Sequence, residues 1–352
     1  MKISCQQQRA RGFAVIIALV AITLLSIMAG ALAISMKVES QIAQNANDGE
    51  KLLWVARGGV ERACWILAQE PPGPSSLQQI WAGGPGVGPE TNGPLTGITL
   101  DNFPVGEGSV SLKMVEQESK ININAADTEL LHQVLTVMGV DAGDISVVSD
   151  SILDWIDTDD APHPAGAETD YYQGEVPAYN AKNAPMDDLQ ELQFVKGVTP
   201  LMFTGGTAGD PNSPFKHHKL GFGNGPGQPE DYPFGLRDVF TPYSNGKINI
   251  NTAGTNVLQL LPGMDTPTLE GIVTMRESIG GPTGDGVITS LGQLQSVVSN
   301  PQALQQMSRY LTVRGDTYEV TATARVGATE REFIAVIYRN GNNTSVVSFH
   351  AK

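Results

Sequence analysis

The 352-residue chain carries 22 Lys and Arg against 37 Asp and Glu, which gives a formal net charge of -15. A surface this acidic repels phosphate backbones, so the composition argues against nucleic-acid binding. The length is sufficient for two modest domains with cores of their own. The cysteines are Cys5 and Cys64, and loss of an N-terminal leader would leave Cys64 alone, so they do not identify a redox compartment.

An apolar segment follows a short basic N-terminus. Residues 1–12 include Lys2, Arg9 and Arg11 and no acid, and residues 13–36 carry no charge. At about 1.5 Å per residue, a helix over that range crosses a hydrocarbon core of about 30 Å. The basic leader predicts a cytoplasmic N-terminus with the rest of the chain on the other side. The segment is too long for the apolar region of a secretory signal, which leaves an ordinary single-pass anchor as the main alternative.

The helix is predicted to continue beyond the membrane over residues 37–70. Apolar side chains recur at helical spacing from Leu52 to Leu67, and residues 38–69 contain no Pro. The prolines that begin at Pro71 end the helix. The pattern therefore predicts an amphipathic half that packs against a sheet.

The remainder predicts a small antiparallel sheet whose strands are separated by a long helical segment. Alternating apolar residues predict strands at 109–115, 310–314, 318–326 and 331–338, with a hairpin turn at 327–330. Between them, short helices are predicted at 126–138, 145–155, 185–195, 255–260, 267–278 and 301–308. We expect an α+β fold in which a long N-terminal helix packs on the sheet, and a large α-helical domain is inserted between sheet strands. The expected segments are 1–12 (leader), 13–36 (membrane), 37–70 (helix), 71–119 (first part of the sheet domain), 120–309 (insertion) and 310–352 (last strands).

The insertion contains an internal repeat. The sequence Lys-Ile-Asn-Ile-Asn occurs at residues 120–124 and again at 247–251, each time before a predicted helix. The second copy runs into Leu-Pro-Gly at 261–263 and resembles the helix-hairpin-helix unit of DNA-binding proteins. Asp265 and Glu270 follow it and no basic residue adjoins it, so a helix-packing unit is favoured. A membrane-anchored, competence-type DNA-binding protein is the alternative function.

An acidic run extends from residue 150 to 191, where eleven carboxylates stand against one basic residue, Lys182. Aromatic and aliphatic residues are interleaved with the acids, so we expect a folded loop that draws the carboxylates together. Calcium takes 6–8 oxygen ligands of this kind. His163 is the single His or Cys nearby, which disfavours zinc. A solvated acidic face is the alternative.

Signatures of an enzyme are weak. The sequence lacks Gly-x-Ser-x-Gly, His-Glu-x-x-His and a phosphate-binding loop. His217 and His218 lie in a Gly- and Pro-rich stretch at 205–235, which is interpreted as a solvated loop, with metal ligation as the alternative. A hydrolase that uses the paired carboxylates is a further hypothesis. We predict that the chain is not an enzyme.

The junction Arg11-Gly12-Phe13, followed by the apolar run, resembles a type IV prepilin processing site. The resemblance implies cleavage between Gly12 and Phe13 and N-methylation of Phe13. Most pilin-like proteins carry Glu at the fifth mature position, which here is Ile17. That Glu neutralises the amino terminus of a neighbouring subunit, and a lipid-embedded carboxylate requires such a partner. A subunit that has Ile17 instead needs no neighbour above it.

The chain resembles the minor pseudopilins of the general secretion pathway protein K family, which belong to the type II secretion system. The resemblance rests on the combination of the leader, the helix without Glu, the split sheet, the helical insertion and the acidic loop. The resemblance implies a tip complex with the type I and J minor pseudopilins that starts assembly of the periplasmic pseudopilus and supports export of folded proteins across the outer membrane. The implied partners also include the major pseudopilin, prepilin peptidase, the inner-membrane assembly platform and secreted substrates, but not nucleic acid. The implied location is the bacterial inner membrane, single-pass, with the C-terminal domain in the periplasm.

The resemblance also extends to the acidic run, where Asp-Trp-Ile-Asp, Gly-Ala-Glu and Asp-Tyr-Tyr follow one another between residues 154 and 172. It implies that the helical domain binds calcium in a structural role. The implied ligands are Asp157, Asp159, Glu168 and Asp170, and candidates for a second site are Asp154, Asp188 and Glu191.

Overall fold

The computed structural model describes residues 6–86, 93–207, 231–277, 286–298 and 300–352. Its α-helices are α1 (Gln6–Gln69), α2 (Thr128–Met138), α3 (Ala142–Ile156), α4 (Thr169–Tyr172), α5 (Pro200–Thr204), α6 (Leu236–Val239), α7 (Thr255–Leu258), α8 (Thr266–Glu277) and α9 (Pro301–Tyr310). Its strands are β1 (Phe103–Val105), β2 (Gly108–Glu116), β3 (Ile121–Asn122), β4 (Gly206–Thr207), β5 (Asp231–Tyr232), β6 (Phe240–Thr241), β7 (Ile248–Asn249), β8 (Leu311–Thr312), β9 (Thr317–Val326), β10 (Thr329–Asn340) and β11 (Asn343–Ala351). Short 3-10 helices lie at Ile80–Ala82, Gln117–Ser119, Ile123–Ala125, Leu189–Phe194 and Leu291–Ser296.

The first layer is α1, a single 64-residue helix whose two halves differ in burial. The side chains described from residue 13 to residue 44 are exposed, whereas apolar side chains from Leu52 to Leu67 are buried. The backbone of residues 6–12 of the expected leader belongs to the same helix, and residues 1–5 lie outside the described residues. The buried half provides the apolar stripe that the sequence predicts.

The second layer is a five-stranded antiparallel sheet in the order β1-β2-β9-β10-β11. Strand β2 pairs with β9 from Ser109↔Arg325 to Glu116↔Tyr318, although some two hundred residues separate them along the chain. The inward side chains of the sheet and the buried face of α1 form one apolar core, which includes Val60, Leu112 and Val320. Because one sheet is completed by strands from both sides of a long helical insertion, the predicted α+β fold class is confirmed.

The predicted elements differ from the structure in three respects. The strand expected at 310–314 is reduced to the two residues of β8, because α9 continues to Tyr310. Strands β1 and β11 were not expected. Most side chains of β11 are exposed or half-buried, so it lacks the alternation that identifies a strand with one buried face. The helix expected at 185–195 is the 3-10 helix Leu189–Phe194.

The inserted segment has a second, separate apolar core, which extends in sequence from Ile121 to Leu311. The two repeat copies form equivalent structures: β3 pairs in parallel with β6, and β7 pairs in parallel with β8. Each copy continues into two helices joined by a glycine turn, at Gly139 (φ 90°) in the first and Gly263 (φ 81°) in the second. The segment boundaries at residues 12, 36, 70, 119 and 309 stay predictions.

Candidate functional site

The acidic loop begins where α3 ends. Asp154 lies fully buried in the last turn of α3, and Asp157 forms its C-cap. Side-chain oxygens of Asp157, Asp159 and Glu168 lie within 4.8 Å of one another, and ligand atoms of Asp154, Asp157 and His163 do the same. The structure therefore brings together three of the four favoured ligands and places Asp154 beside them.

Glu168 is the least satisfied member of this cluster. It is 5% exposed, and neither carboxylate oxygen has a hydrogen-bond partner among the described residues. Burial, and then the charges of Asp154, Asp157 and other loop acids, raise the pKa of Glu168 to about 7. An unpaired carboxylate in such a position costs free energy that a bound cation would recover.

Asp154 and His163 are joined across the loop. Asp154 Oδ1 accepts the backbone N–H of His163 at 3.0 Å and also contacts the ring Nδ1 of His163. The hydrogen bond to Asp154 raises the pKa of His163. The second oxygen of Asp154, Oδ2, is buried and has no hydrogen-bond partner in the described part of the chain.

The loop backbone is fixed by side chains from outside it. Asp150 Oδ2 accepts the N–H of Ala165 at 3.1 Å, and Lys196 Nζ donates to the carbonyl of Gly166 at 2.9 Å. Asn183 Nδ2 donates at 2.9 Å to the carbonyl of Asp159, while Asn183 Oδ1 is buried and unpaired within the described residues. Lys196 and Asn183 could not be predicted from the sequence, because their positions beside the loop arise from the tertiary fold.

Asp170, Asp188 and Glu191 do not join the clustered oxygens in the described structure. Asp170 is exposed in the first turn of α4. Asp188 and Glu191 form the capping box of the 3-10 helix Leu189–Phe194, and Glu191 Oε1 accepts Lys182 Nζ at 2.7 Å. Burial opposes ionisation of Glu191, but Lys182 and backbone donors outweigh it and lower the pKa. In the described structure Asp188 and Glu191 cap a 3-10 helix, and their part in a second metal site stays a prediction.

The donor set defines what the cluster can bind. Asp154, Asp157, Asp159 and Glu168 offer carboxylate oxygens, which hard cations such as calcium prefer. The unpaired oxygens of Asp154 and Glu168 are ready to accept such a cation. The residues present therefore fit calcium, which would neutralise the cluster and hold the loop in one conformation.

The predicted processing residues lie on the continuous helix α1. The backbone of Gly12 belongs to that helix, and the side chains of Phe13 and Ile17 are 67% and 55% exposed. The helix contains a window of mean hydropathy 2.7 with none of its residues buried, so its length and composition suffice to cross a membrane.

A polar and aromatic stripe continues along the exposed side of the packed half of α1. Trp54, Arg57, Glu61 and Trp65 follow at helical spacing, and the two Trp side chains are 63% and 42% exposed. The Arg57 guanidinium lies 5.2 Å from the ring centroid of Trp54 and 5.7 Å from that of Phe349. Exposed Trp and Arg side chains are characteristic of the energetic centre of protein interfaces.

The hairpin that resembles a DNA-binding unit carries the wrong charge for that role. Asp265 Oδ1 accepts the N–H of Thr268 at 2.9 Å and so occupies the N-terminus of α8, where a phosphate would bind. The glycine turn faces α9, since a Cβ on Gly263 would lie 3.4 Å from the carbonyl of Ala303. Predicted loop residues His217 and His218 lie outside the described residues.

A long helix that packs on a small antiparallel sheet, with a helical segment inserted between the strands, defines a pilin-like α+β fold. The exposed half of the helix is long and apolar enough to cross a membrane. Residues 110–205 match the family model "Type II secretion system (T2SS), protein K". This match confirms, over residues 110–205, the resemblance to the type II secretion system protein K family that the sequence predicts.

Relatives named type II secretion system protein K are similar over part of their length. The protein of Aeromonas hydrophila is 27% identical over 207 residues, which cover 57% of this chain and 62% of the relative. The protein of Klebsiella pneumoniae is 22% identical over 55% of this chain and 60% of the relative. The chain thus matches less than two thirds of the length of these relatives.

The fold has a counterpart among solved structures. A chain from the GspK-GspI-GspJ complex of the enterotoxigenic Escherichia coli type 2 secretion system superposes with a TM-score of 0.58 and 15% identity. The superposition covers 88% of the present chain and 99% of that chain, so the likeness in fold extends over both the sheet and the insertion.

Proposed function

We propose that this chain is a minor pseudopilin that caps the tip of a periplasmic pseudopilus and initiates its assembly, in support of export of folded proteins across the outer membrane. The observation that carries the proposal is the exposed apolar half of α1, which presents an uncharged Ile17 where a shaft subunit would need a carboxylate. In lipid this helix is an anchor, and beside other such helices it is the surface through which the subunit joins a filament.

The proposed route starts at the membrane. Prepilin peptidase removes residues 1–12 and the new amino terminus at Phe13 is methylated. The inner-membrane assembly platform then extracts the helix into the filament, and the folded domain stays in the periplasm. Because Ile17 offers no charge to the amino terminus of another subunit, no subunit is required above this one. The major pseudopilin would extend the filament from below.

The Trp54–Trp65 stripe is the proposed contact with the other minor pseudopilins, types I and J. Its two exposed indoles can be buried by a neighbouring helix, and Arg57 and Glu61 between them provide opposite charges for register. The stripe continues the exposed apolar surface of the membrane half of α1, so one partner helix could pack along both surfaces. Secreted substrates are a further proposed partner of the tip, and nucleic acid is not.

The calcium ion proposed for the acidic cluster has a structural role. Asp154, Asp157, Asp159 and Glu168 would hold it, and the free energy of binding would add to the stability of the loop. Asp170 is retained as a proposed further ligand, since it lies in the first turn of the helix that Glu168 caps. A structural role is proposed for this cluster, and no catalytic one.

The assembly role is tested by two variants in the secreting cell. Gly12→Val should leave an uncleaved precursor, which mass spectrometry of the N-terminus detects, and should abolish secretion.

Trp54→Ala combined with Trp65→Ala should preserve cleavage but reduce co-purification of the other minor pseudopilins by tenfold or more. Phe194→Ala, which removes another exposed aromatic side chain, is the matched control. Normal secretion by an uncut Gly12→Val protein would contradict the proposal.

A further inference from the structure

Two buried carboxylates lie where the inserted domain meets the sheet. Glu116 is the last residue of β2 and Glu118 lies in the 3-10 helix that follows. The two residues are 1% and 0% exposed. Both precede the first repeat strand, β3, so they stand at the point where the chain leaves one core and enters the other.

Glu116 holds the second repeat copy. Its Oε1 atom accepts Asn249 Nδ2 at 2.6 Å and Thr252 Oγ1 at 2.9 Å. Asn249 Nδ2 also lies 2.8 Å from Ser75 Oγ, which ties the same contact to the segment after α1. Gly315 closes the other side, because a Cβ there would lie 2.0 Å from Glu116 Cδ. The insertion is thus bonded to the end of β2 through one carboxylate.

Glu118 connects the insertion to β9. Its Oε1 atom accepts the backbone N–H of Asn245 at 3.2 Å, and its Oε2 atom accepts the N–H of Thr317 at 3.2 Å. Asn245 precedes the second repeat copy, whereas Thr317 is the first residue of β9. One side chain therefore bonds a residue of the insertion and a residue of the sheet.

In the described structure, the hydrogen bonds to Glu116 and Glu118 come from neutral donors, and no basic side chain donates to either carboxylate. Asp316 adds a further negative charge beside Glu116, and the Tyr318 hydroxyl donates to the carbonyl of Gly315. Arg339, the buried cation of this region, donates instead to the carbonyls of Glu70 and Gly341. Glu116 Oε2 is buried and has no partner among the described residues. An ionised pair in this setting lacks a counter-charge.

We infer that Glu116 and Glu118 form a proton-linked joint, in which proton uptake by the buried pair tightens the attachment of the inserted domain to the sheet and ionisation loosens it. The joint consists of side-chain bonds that cross between the two cores, so a change in its charge acts on their connection before it acts on either core. Burial raises the pKa of each carboxyl to about 7, and the charge of Glu116 contributes to the shift of Glu118.

The direction of the effect follows from linkage. A carboxyl whose pKa is higher in the closed state than its ordinary value of 4.5 binds a proton more tightly when the joint is closed. Its stabilising contribution is complete below about pH 4.5 and is lost as the pH rises to about 7. Above that range both states are ionised and the pH has no further effect through this pair. The joint should therefore be tighter in mildly acidic than in alkaline conditions.

The test measures hydrogen exchange at the amides of Asn245 and Thr317 in the full chain, solubilised in detergent micelles with saturating calcium. After correction for intrinsic exchange rates, protection should fall by about tenfold or more between pH 5 and pH 8. Glu116→Gln should remove at least half of that pH dependence on a logarithmic scale. Glu61→Gln, an exposed acid on α1, should leave it unchanged. Flat protection in the unaltered chain, or full pH dependence in Glu116→Gln, would overturn the inference.

A second measurement, made on the unaltered chain, tests the inference even if the Gln variants do not fold. The infrared carbonyl band of a protonated, buried carboxyl should be present in the unaltered chain at pH 6 and absent at pH 9. Glu118→Gln should reduce its amplitude, and Glu61→Gln should not. Absence of the band at pH 6 would overturn the inference even if the Gln variants unfold. The measurement does not depend on secretion or on partners, so its result is independent of the proposed assembly role.

Discussion

A Cβ atom on Gly166 would lie 1.9 Å from Oδ2 of Asp154, so the acidic loop backbone passes directly over a fully buried carboxylate. The contact leaves no room for a side chain at residue 166. The Asp154 oxygen in this contact, Oδ2, is buried and has no hydrogen-bond partner among the described residues. A change in the loop backbone at residue 166 would therefore also displace Asp154, which is a candidate ligand.

The first prediction is that Gly166→Ala destabilises the chain by about 2–3 kcal/mol, because either the loop or Asp154 must move out of its place. Urea unfolding followed by intrinsic fluorescence measures the change. Gly143→Ala is the matched control, since a Cβ at Gly143 in α3 meets nothing within 4 Å. That control should be neutral or stabilising by about 0.5–1 kcal/mol. Equal stability of the two variants would contradict the loop packing described.

The second prediction concerns calcium. Addition of calcium to chelator-treated protein should raise the melting temperature by several degrees, since an ion that binds only the folded state stabilises it. Glu168→Gln should abolish most of the rise, because it removes the charge of the buried, unpaired ligand. Asp170→Asn is the comparison, and it should retain most of the rise because Asp170 is exposed and outside the clustered oxygens. Scanning calorimetry with calcium and with magnesium measures both variants.

A calcium-induced rise that survives Glu168→Gln in full would place the ion elsewhere. A rise lost equally in both variants would extend the ligand set to Asp170, as the family resemblance implied. The magnesium arm separates a selective site from general screening of acidic charge, which either ion provides.

The third prediction concerns Lys182 and the capping box. Lys182→Met should cost about 1–2 kcal/mol, because Nζ bonds both Asp187 and the partly buried Glu191 at 2.7 Å. The double variant Lys182→Met with Glu191→Gln should recover part of this loss, since it removes the carboxylate left without its cation. A double-mutant cycle measured by urea unfolding gives the coupling. Additive losses would indicate that the two side chains are not energetically coupled.

The fold could be predicted from the sequence where one face of an element is buried. The stripe from Leu52 to Leu67 and the alternation in β2 and β9 identified the helix and the split sheet. Strand β11 escaped notice because Val346 and Val347 are both exposed, so burial does not alternate along it. Its strand structure comes from pairing with β10, which is a tertiary property.

The site was only partly predictable for a similar reason. A run of acids indicates that carboxylates will be close, and Asp157, Asp159 and Glu168 are close. Acidic residues in such a run can also cap helices, as Asp188 and Glu191 do. Glu191 was therefore predicted as a ligand, although in the structure it forms an ion pair with Lys182. Glu116 and Glu118 follow the strand predicted at 109–115, in the sequence Val-Glu-Gln-Glu-Ser, and acidic residues at such a position are typical of an exposed turn. Their burial depends on contacts with residues more than a hundred positions away.

The fourth prediction concerns the close packing of α1 on the sheet. A Cβ at Gly59 would lie 2.9 Å from Val110 Cγ2 and 3.3 Å from Leu112 Cδ2, so these two side chains of β2 pack directly against the helix backbone at Gly59. Gly59→Val should cost about 2–3 kcal/mol, because the added side chain pushes the helix off β2. Urea unfolding monitored by circular dichroism measures it.

Gly49→Val provides the control, since the same substitution in the same helix meets nothing within 4 Å. It should change stability by less than about 0.5 kcal/mol, because Val has only a modestly better helix propensity than Gly and gains no packing there. A cost at residue 49 equal to that at residue 59 would show that the loss arises from the helix backbone and not from the approach to β2. A cost confined to residue 59 would establish that the sheet sets the position of the helix along which the subunit is proposed to assemble.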